Sequence, residues 1–192
     1  MNFAFSEEQD QLREFVRQFM EEKSPESAVR ELMETELGYD ADVWSQMAEQ
    51  MGLQSMIIPE EFGGQGFGFV ELIVVLEEMG RTLLCAPFFA SAVLATNAIL
   101  EGATDEQKAA LLPGLASGEV IGALAFTEQN GRWDEAGITM EAAGADGSYT
   151  LTGTKMYVLD GHVADLFIVA ARTASGVSLF SVDAQADGVT AT

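Results

Sequence analysis

A single cysteine, Cys85, and a single histidine, His162, stand among 192 residues, and nine basic side chains face thirty-one acidic ones. One thiol excludes an internal disulfide framework. One imidazole excludes a histidine-built metal site, so no metal is expected, and any Ser-His-Asp or Cys-His arrangement would depend on His162 alone. The formal charge of −22 repels nucleic-acid phosphates and anionic lipid over most of the surface, so neither is an expected partner. It also repels an anionic substrate unless a local basic or backbone N–H site offsets it. No apolar run approaches the ~18 residues that a spanning helix needs, and even ELIVVLEEM is broken by carboxylates. The opening MNFAFSEEQDQ lacks the basic segment and long apolar stretch of a signal peptide, and a cytoplasmic location is the expectation.

What is present is a globular composition, 48% hydrophobic, with glycine concentrated in PEEFGGQGFG at residues 59–68. A dinucleotide fingerprint fails there, because Gly64 and Gly66 supply its first pair but Phe69 occupies the third position. No Gly-Lys-Ser/Thr follows, so the Walker pattern fails too. The expectation is a turn that feeds an apolar helix starting near Phe69.

Helical periodicity dominates the first part of the chain. Ser6 and Gln9 form a capping box ahead of Leu12, Phe15, Val16, Phe19 and Met20. Pro25 ends that helix or opens a short second one. A third runs through Val43, Trp44, Met47 and Met51 until Gly52. A fourth begins at Phe69 and closes at Gly80, with enough apolar residues to imply burial on more than one side, and a fifth spans about Phe88 to Leu100. Thr104 and Gln107 box the helix of TDEQKAALLPGLASGE. The character then changes: VIGALAFTE, GITMEAA, SYTLTGTKMYVLD, DLFIVAART and VSLFSVDA read as strands of an antiparallel all-β unit. The fold class is therefore α+β, with an all-helical domain over residues 1–118 and a β domain over residues 119–192.

Few residues suggest chemistry by themselves. His162 lies in a glycine-containing turn and reads as an exposed loop residue. Cys85 reads as a small buried hydrophobe. Of Glu77 and Glu78, one is expected inward and one solvated. Met33, Met47, Met51, Met56 and Met79 read as core filler. The stretch from Phe126 to Asp134 carries more content, since a strand there breaks into a polar loop. Its aromatic residues could cover a planar ligand, with Thr127 offering a hydroxyl and a backbone donor. Arg132 is one of two basic residues between 109 and 171, Lys155 being the other. An ordinary loop whose Trp133 covers a core edge accounts for the same residues equally well.

Four stretches together resemble the acyl-CoA dehydrogenases, flavoproteins that desaturate acyl-CoA thioesters between the α and β carbons. They are FSEEQDQLREFVRQFMEE, MGLQSMIIPEEFGGQGFGFVELIVVLEEMGR, GATDEQKAALLPGLASGE, and the pair LAFTE with LTGTKMYVLDGHVADLFIVAART. The resemblance implies an N-terminal helical domain, a middle β-barrel domain, and FAD held between the middle domain and a C-terminal helical domain. PEEFGG then links consecutive helices near the substrate cavity. Phe126 and Thr127 occupy a strand end that contacts the flavin, and Tyr157, Val158 and Leu159 match a second flavin-facing segment, usually Trp-Ile-Thr. Leu159 cannot donate the hydroxyl bond that threonine gives flavin N5. Trp133 replaces a serine that contacts FAD phosphate and the CoA thioester tail, where Arg132 could meet phosphate charge.

The resemblance also implies that the glutamate acting as base lies in the C-terminal domain, outside this sequence, so no catalytic residue is assigned. The leading expectation is the N-terminal and middle part of an FAD-dependent acyl-CoA dehydrogenase. Its partners would be an acyl-CoA substrate, further subunits in a homo- or hetero-oligomer, and an electron-transferring flavoprotein by analogy. The alternative is a non-catalytic subunit of a heteromeric dehydrogenase, some of which act on steroid-CoA thioesters, and Leu159 and Trp133 favour it. A stand-alone interaction module that binds no flavin is a third reading.

Overall fold

The computed structural model describes residues 4–145 and 147–192. Two compact units emerge: the chain up to Ala86 together with Ala116–Gly118, and Pro87–Leu115 together with Glu119–Thr192.

In the first unit, α1 (Glu7–Lys23) starts from the Ser6–Gln9 capping box, and α2 (Glu26–Leu32) follows Pro25 directly. Asp40 caps α3 (Ala41–Glu49) by accepting from the amides of Asp42 and Val43, and Gly52 stops the chain in the left-handed region at φ 64°. Helix α4 (Phe69–Arg81) packs along α1. It runs through Gly80 rather than stopping there. The reversal instead falls on Leu83 at φ 54°, with the Leu84 amide donating to the Met79 carbonyl. Val16, Met20, Trp44, Met47, Met56 and Val75 are buried in this unit.

Two expectations for the unit do not hold. Met33 is 70% exposed, at the frayed end of α2, and is no part of the core. Helix α4 is buried along one side, while Phe69, Val70 and Ile73 are exposed on the other. Its hydrophobic content overstated its burial.

The PEEFGG turn is built by backbone contacts. Gly66 N–H donates to the Ile58 carbonyl at 2.9 Å, and Gly64 N–H to the Pro59 carbonyl at 3.1 Å. A Cβ on Gly64 would lie 1.9 Å from the Ile58 oxygen, and Gly63 takes φ 87° as the cap of a short 3-10 turn. Gly64 thus serves close packing, and Gly63 and Gly66 serve left-handed backbone in the turn.

Of the two adjacent glutamates, Glu77 is half-exposed and Glu78 buried. Arg17 donates to Glu78 through Nε (3.1 Å) and Nη2 (2.8 Å), Arg81 through Nε (2.7 Å), and Arg13 lies 3.6 Å away. The bond from Arg17 outweighs the cost of burial and, with Arg81, holds the Glu78 carboxyl down at about 2. This cluster ties α1 to α4.

In the second unit, a π-helical stretch, Phe89–Ala95, replaces the first half of the expected fifth helix and leads into α5 (Thr96–Gly102). Thr96 Oγ1 donates to the Ser91 carbonyl at 2.9 Å within that widened turn. Helix α6 (Asp105–Ala116) opens on the Thr104–Gln107 box. The strands are β1 (Gly122–Ala125), β2 (Glu141–Ala145), β3 (Ser148–Thr152), β4 (Leu166–Thr173) and β5 (Gly176–Asp183).

The sheet is mixed, not the all-antiparallel unit expected. The sequential pairs β2–β3 and β4–β5 are antiparallel, as short reversals require. β1 pairs parallel with β4, Gly122 opposite Leu166, and β2 meets β4 parallel at Glu141 and Arg172. The long excursion between β1 and β4 brings the chain back in its original direction. Strand β4 thus has three neighbours and its middle residues, Phe167–Ala171, are buried. SYTLTGTKMYVLD is not one strand, since β3 ends at Thr152 and the chain leaves the sheet at Gly153.

Candidate functional site

Where β1 ends, Phe126, Thr127 and Glu128 continue the chain out of the sheet, and a second segment, Lys155–Leu159, comes alongside. Met156 N–H donates to the Thr127 carbonyl at 2.8 Å. Lys155 Nζ donates to the Phe126 carbonyl at 3.3 Å and forms an ion pair with Glu128 Oε1 at 2.7 Å, both side chains being buried. The Glu128 carboxylate also accepts from the amides of Thr139 (3.0 Å) and Met140 (2.9 Å) and from the Thr139 hydroxyl. Burial pushes this carboxyl up. The bonds from Lys155, Thr139 and the two amides overcome that and hold it at about 2, a fixed carboxylate.

After Met156 the chain turns sharply. Tyr157 and Asp160 both adopt left-handed backbone, φ 55° and 53°, a conformation that costs a non-glycine residue energy and persists where its surroundings impose it. Gly161 N–H donates to the Val158 carbonyl and Val163 N–H to the Asp160 carbonyl. The ring of Tyr157 is 82% exposed and the Leu159 side chain about half exposed. Burial pushes the Asp160 carboxyl up, and His162 partly offsets this. His162 itself is exposed.

Among the described residues, the Thr127 hydroxyl and the N–H groups of Tyr157, Val158 and Leu159 have no acceptor. A cavity of about 740 Å³ opens beside this turn, lined by Tyr157, Val158, His162, Phe167, Val169 and Val182 among others. It adjoins the sheet's core of Ala125, Met140, Phe167 and Val169.

The loop after Glu128 is ordered by its own side chains. Asn130 donates to the Gly137 carbonyl at 2.7 Å and accepts from the Arg132 amide. Arg132 forms a two-pronged bond to Asp134, 3.0 and 2.7 Å, which raises the guanidinium's pKa and lowers that of the carboxyl. Trp133, 84% exposed, covers no core edge of this chain. A groove of about 670 Å³ runs from Glu128 and Asn130 to Thr152 and Thr154.

The structure thus brings Phe126 and Thr127 together with the Tyr157–Leu159 segment. It places Arg132 and Trp133 on a separate loop tip, with the arginine already paired. Reasoning from residue types missed Glu128 and Lys155, which join the two segments. The available signal was Lys155 itself, one of the two basic residues in that long stretch and so a natural partner for a buried acid.

The family model for the acyl-CoA dehydrogenase N-terminal domain matches residues 6–119, and that for the middle domain matches residues 123–192. Mitochondrial isovaleryl-CoA dehydrogenase of Bos taurus is 33% identical over 172 residues, which is 88% of this chain and 40% of that protein. Among solved structures, the ChsE4-ChsE5 complex from Mycobacterium tuberculosis matches with a TM-score of 0.88 at 32% identity, covering 100% of this chain and 51% of that one. A glutaryl-CoA dehydrogenase from Mycobacterium smegmatis in complex with FADH2 matches with a TM-score of 0.86 at 25% identity, over 98% of this chain and 48% of that one. The chain spans about half the length of the proteins it matches. With both domain models matched in order over nearly all its residues, it belongs to the acyl-CoA dehydrogenase family.

Proposed function

We propose that this chain forms the helical N-terminal part, residues 1–118, and the middle part, residues 119–192, of an FAD-dependent acyl-CoA dehydrogenase that desaturates an acyl-CoA thioester between the α and β carbons. The donor set carries the reading. The Thr127 hydroxyl and the amides of Tyr157, Val158 and Leu159 lie on two segments bonded to each other, and none has an acceptor among the described residues. An isoalloxazine edge presents carbonyl oxygens and ring nitrogens to such donors, so the residues fit the group. The Leu159 side chain offers no hydroxyl, and its amide takes that place.

Bound FAD supplies the two-electron acceptor for the reaction. Phe126, Thr127 and the Tyr157–Leu159 turn hold and orient it, the Tyr157 ring providing a flat apolar cover. Trp133 and Arg132 serve the phosphate-bearing substrate side, with Arg132 exchanging Asp134 for phosphate. The Glu128 and Glu135 carboxylates of this stretch are left without a role as base, and none is assigned. The working protein is an oligomer in the cytoplasm, passing electrons to an electron-transferring flavoprotein. Among the described residues no helix is long and apolar enough to cross a membrane.

A second reading, a non-catalytic subunit paired with a catalytic relative, is favoured by Leu159 and Trp133 and by the likeness to a complex of unlike subunits. A visible absorption spectrum separates the two. The chain joined to the remaining domain, with no other subunit present, should show a flavin band that acyl-CoA bleaches. A preparation that stays flavin-free until a catalytic partner is added supports the second reading and defeats the first.

A further inference from the structure

We infer that the buried Glu128–Lys155 pair is a positioning device that sets the register between the Thr127 strand end and the Tyr157–Leu159 turn, and thereby the placement of the flavin-facing donors. The inference rests on the flavin reading above and adds two residues to it.

The geometry is specific. Thr127 lies between two residues held by one ammonium group, since Lys155 Nζ reaches both the Phe126 carbonyl and the Glu128 carboxylate. Thr127 is itself bonded by the next residue in the second segment, through Met156 N–H. Three successive residues of one segment are therefore fixed by two successive residues of the other. The carboxylate is in turn fixed by Thr139 and Met140, at the entry to β2. A carboxylate has about four lone-pair positions, and Lys155, the Thr139 hydroxyl and the two amides use them, so each polar position of the buried Glu128 carboxylate is engaged.

The turn that follows needs such an anchor. Tyr157 and Asp160 both hold left-handed backbone, and the segment between them makes no ladder bond to the sheet. A strained turn of non-glycine residues relaxes unless one end is fixed. Lys155 and Met156 fix the end that carries the Tyr157 ring. A buried ion pair is weak as a source of stability, because desolvation offsets attraction, but leaving either partner unpaired is costly, which favours the one arrangement that keeps them together. A single arrangement is what two facing donor segments require.

The test uses the assembled flavoprotein with Lys155→Met and Glu128→Gln, measuring the FAD dissociation constant, thermal midpoint and peptide-resolved hydrogen exchange. Lys155→Met is expected to weaken FAD binding by about ten- to a hundredfold, as for contacts misplaced by ~1 Å. Exchange should rise over residues 153–160 and stay unchanged across β4 and β5. Glu128→Gln, which keeps an oxygen acceptor for Lys155, should show the same pattern to a smaller extent. It decides the matter if Lys155→Met fails to fold. Wild-type affinity and exchange in the variants would overturn the inference, as would faster exchange spread evenly over the whole sheet. If the unaltered assembly binds no FAD, the flavin reading falls, and the exchange pattern alone still decides whether the pair sets the register.

Discussion

Replacing Glu78 with glutamine removes one negative charge from beneath three guanidinium groups while preserving the side chain's shape. In the folded chain the carboxyl titrates near 2 against an ordinary 4.5. A difference of that size corresponds to about 3 kcal/mol of stability at neutral pH. Arg17 and Arg81 are 37% and 41% exposed, and solvent screening reduces the expected loss for Glu78→Gln to about 1–2 kcal/mol. In a chain of this size that lowers the melting temperature by roughly 2–8 °C. The sign with pH follows from a depressed carboxyl: the stabilisation is complete above 4.5 and is lost as pH falls toward 2. Urea unfolding of both proteins between pH 7 and pH 2.5 checks this. The gap between them should narrow steeply over the acid range, because the unfolded chain's glutamate takes up a proton near 4.5 while the folded one resists until about 2. Glu128 is present in both proteins and cancels. A gap that is unchanged at pH 2.5, or absent at pH 7, would refute the assignment of Glu78 as a charge-locked tie between α1 and α4.

Gly64→Ala forces a Cβ to within 1.9 Å of the Ile58 oxygen and is expected to destabilise by ~2 kcal/mol or more. Gly63→Asn, at an open left-handed position, should cost well under ~1 kcal/mol, and equal melting temperatures for the two would contradict the close-packing account. Ser91 Oγ accepts from the buried Gly122 amide at 3.0 Å, so Ser91→Ala should lower stability by about 1–3 kcal/mol in denaturant unfolding. Leu159→Thr adds a hydroxyl to the turn proposed to face the flavin and is expected to tighten FAD binding by about two- to tenfold. A titration showing weaker or unchanged binding would place flavin N5 elsewhere.

The helices were legible because their signals are local. The Ser6–Gln9 and Thr104–Gln107 boxes and the Gly52 stop depend on neighbours three or four residues away. Gly80 misled because glycine in a helix resembles a stop until the chain's reversal, at Leu83, is seen. Met33 and the outer side of α4 show the limit of composition, since an apolar side chain records no information about what covers it. β3, β4 and β5 were visible in their β-branched and aromatic residues, while β1 (GALA) and β2 (EAAGA) were found only through the apolar stretches around them. Parallel pairing of β1 with β4 was not visible, because register across a long excursion leaves no short-range trace. The two segments proposed to face the flavin were picked out by motif, and the structure brings them side by side. What joins them, Glu128 with Lys155, depends on a contact 27 residues apart in sequence and had to be observed.

The placement of β1 has a consequence for how this chain acquires its sheet. The pairs β2–β3 and β4–β5 can close as hairpins in ~1–10 μs once their residues exist. β1 has β4 as its partner strand, and the bond that sets their register, Ile121 to Asp165, spans 44 residues. At ~5–20 residues per second of synthesis, β1 leaves the ribosome several seconds before its partner. In the folded protein the Gly122 amide that opens this strand is satisfied by the Ser91 hydroxyl, from the π-helical turn made earlier in the chain, so that one bond of β1 does not depend on the late partner.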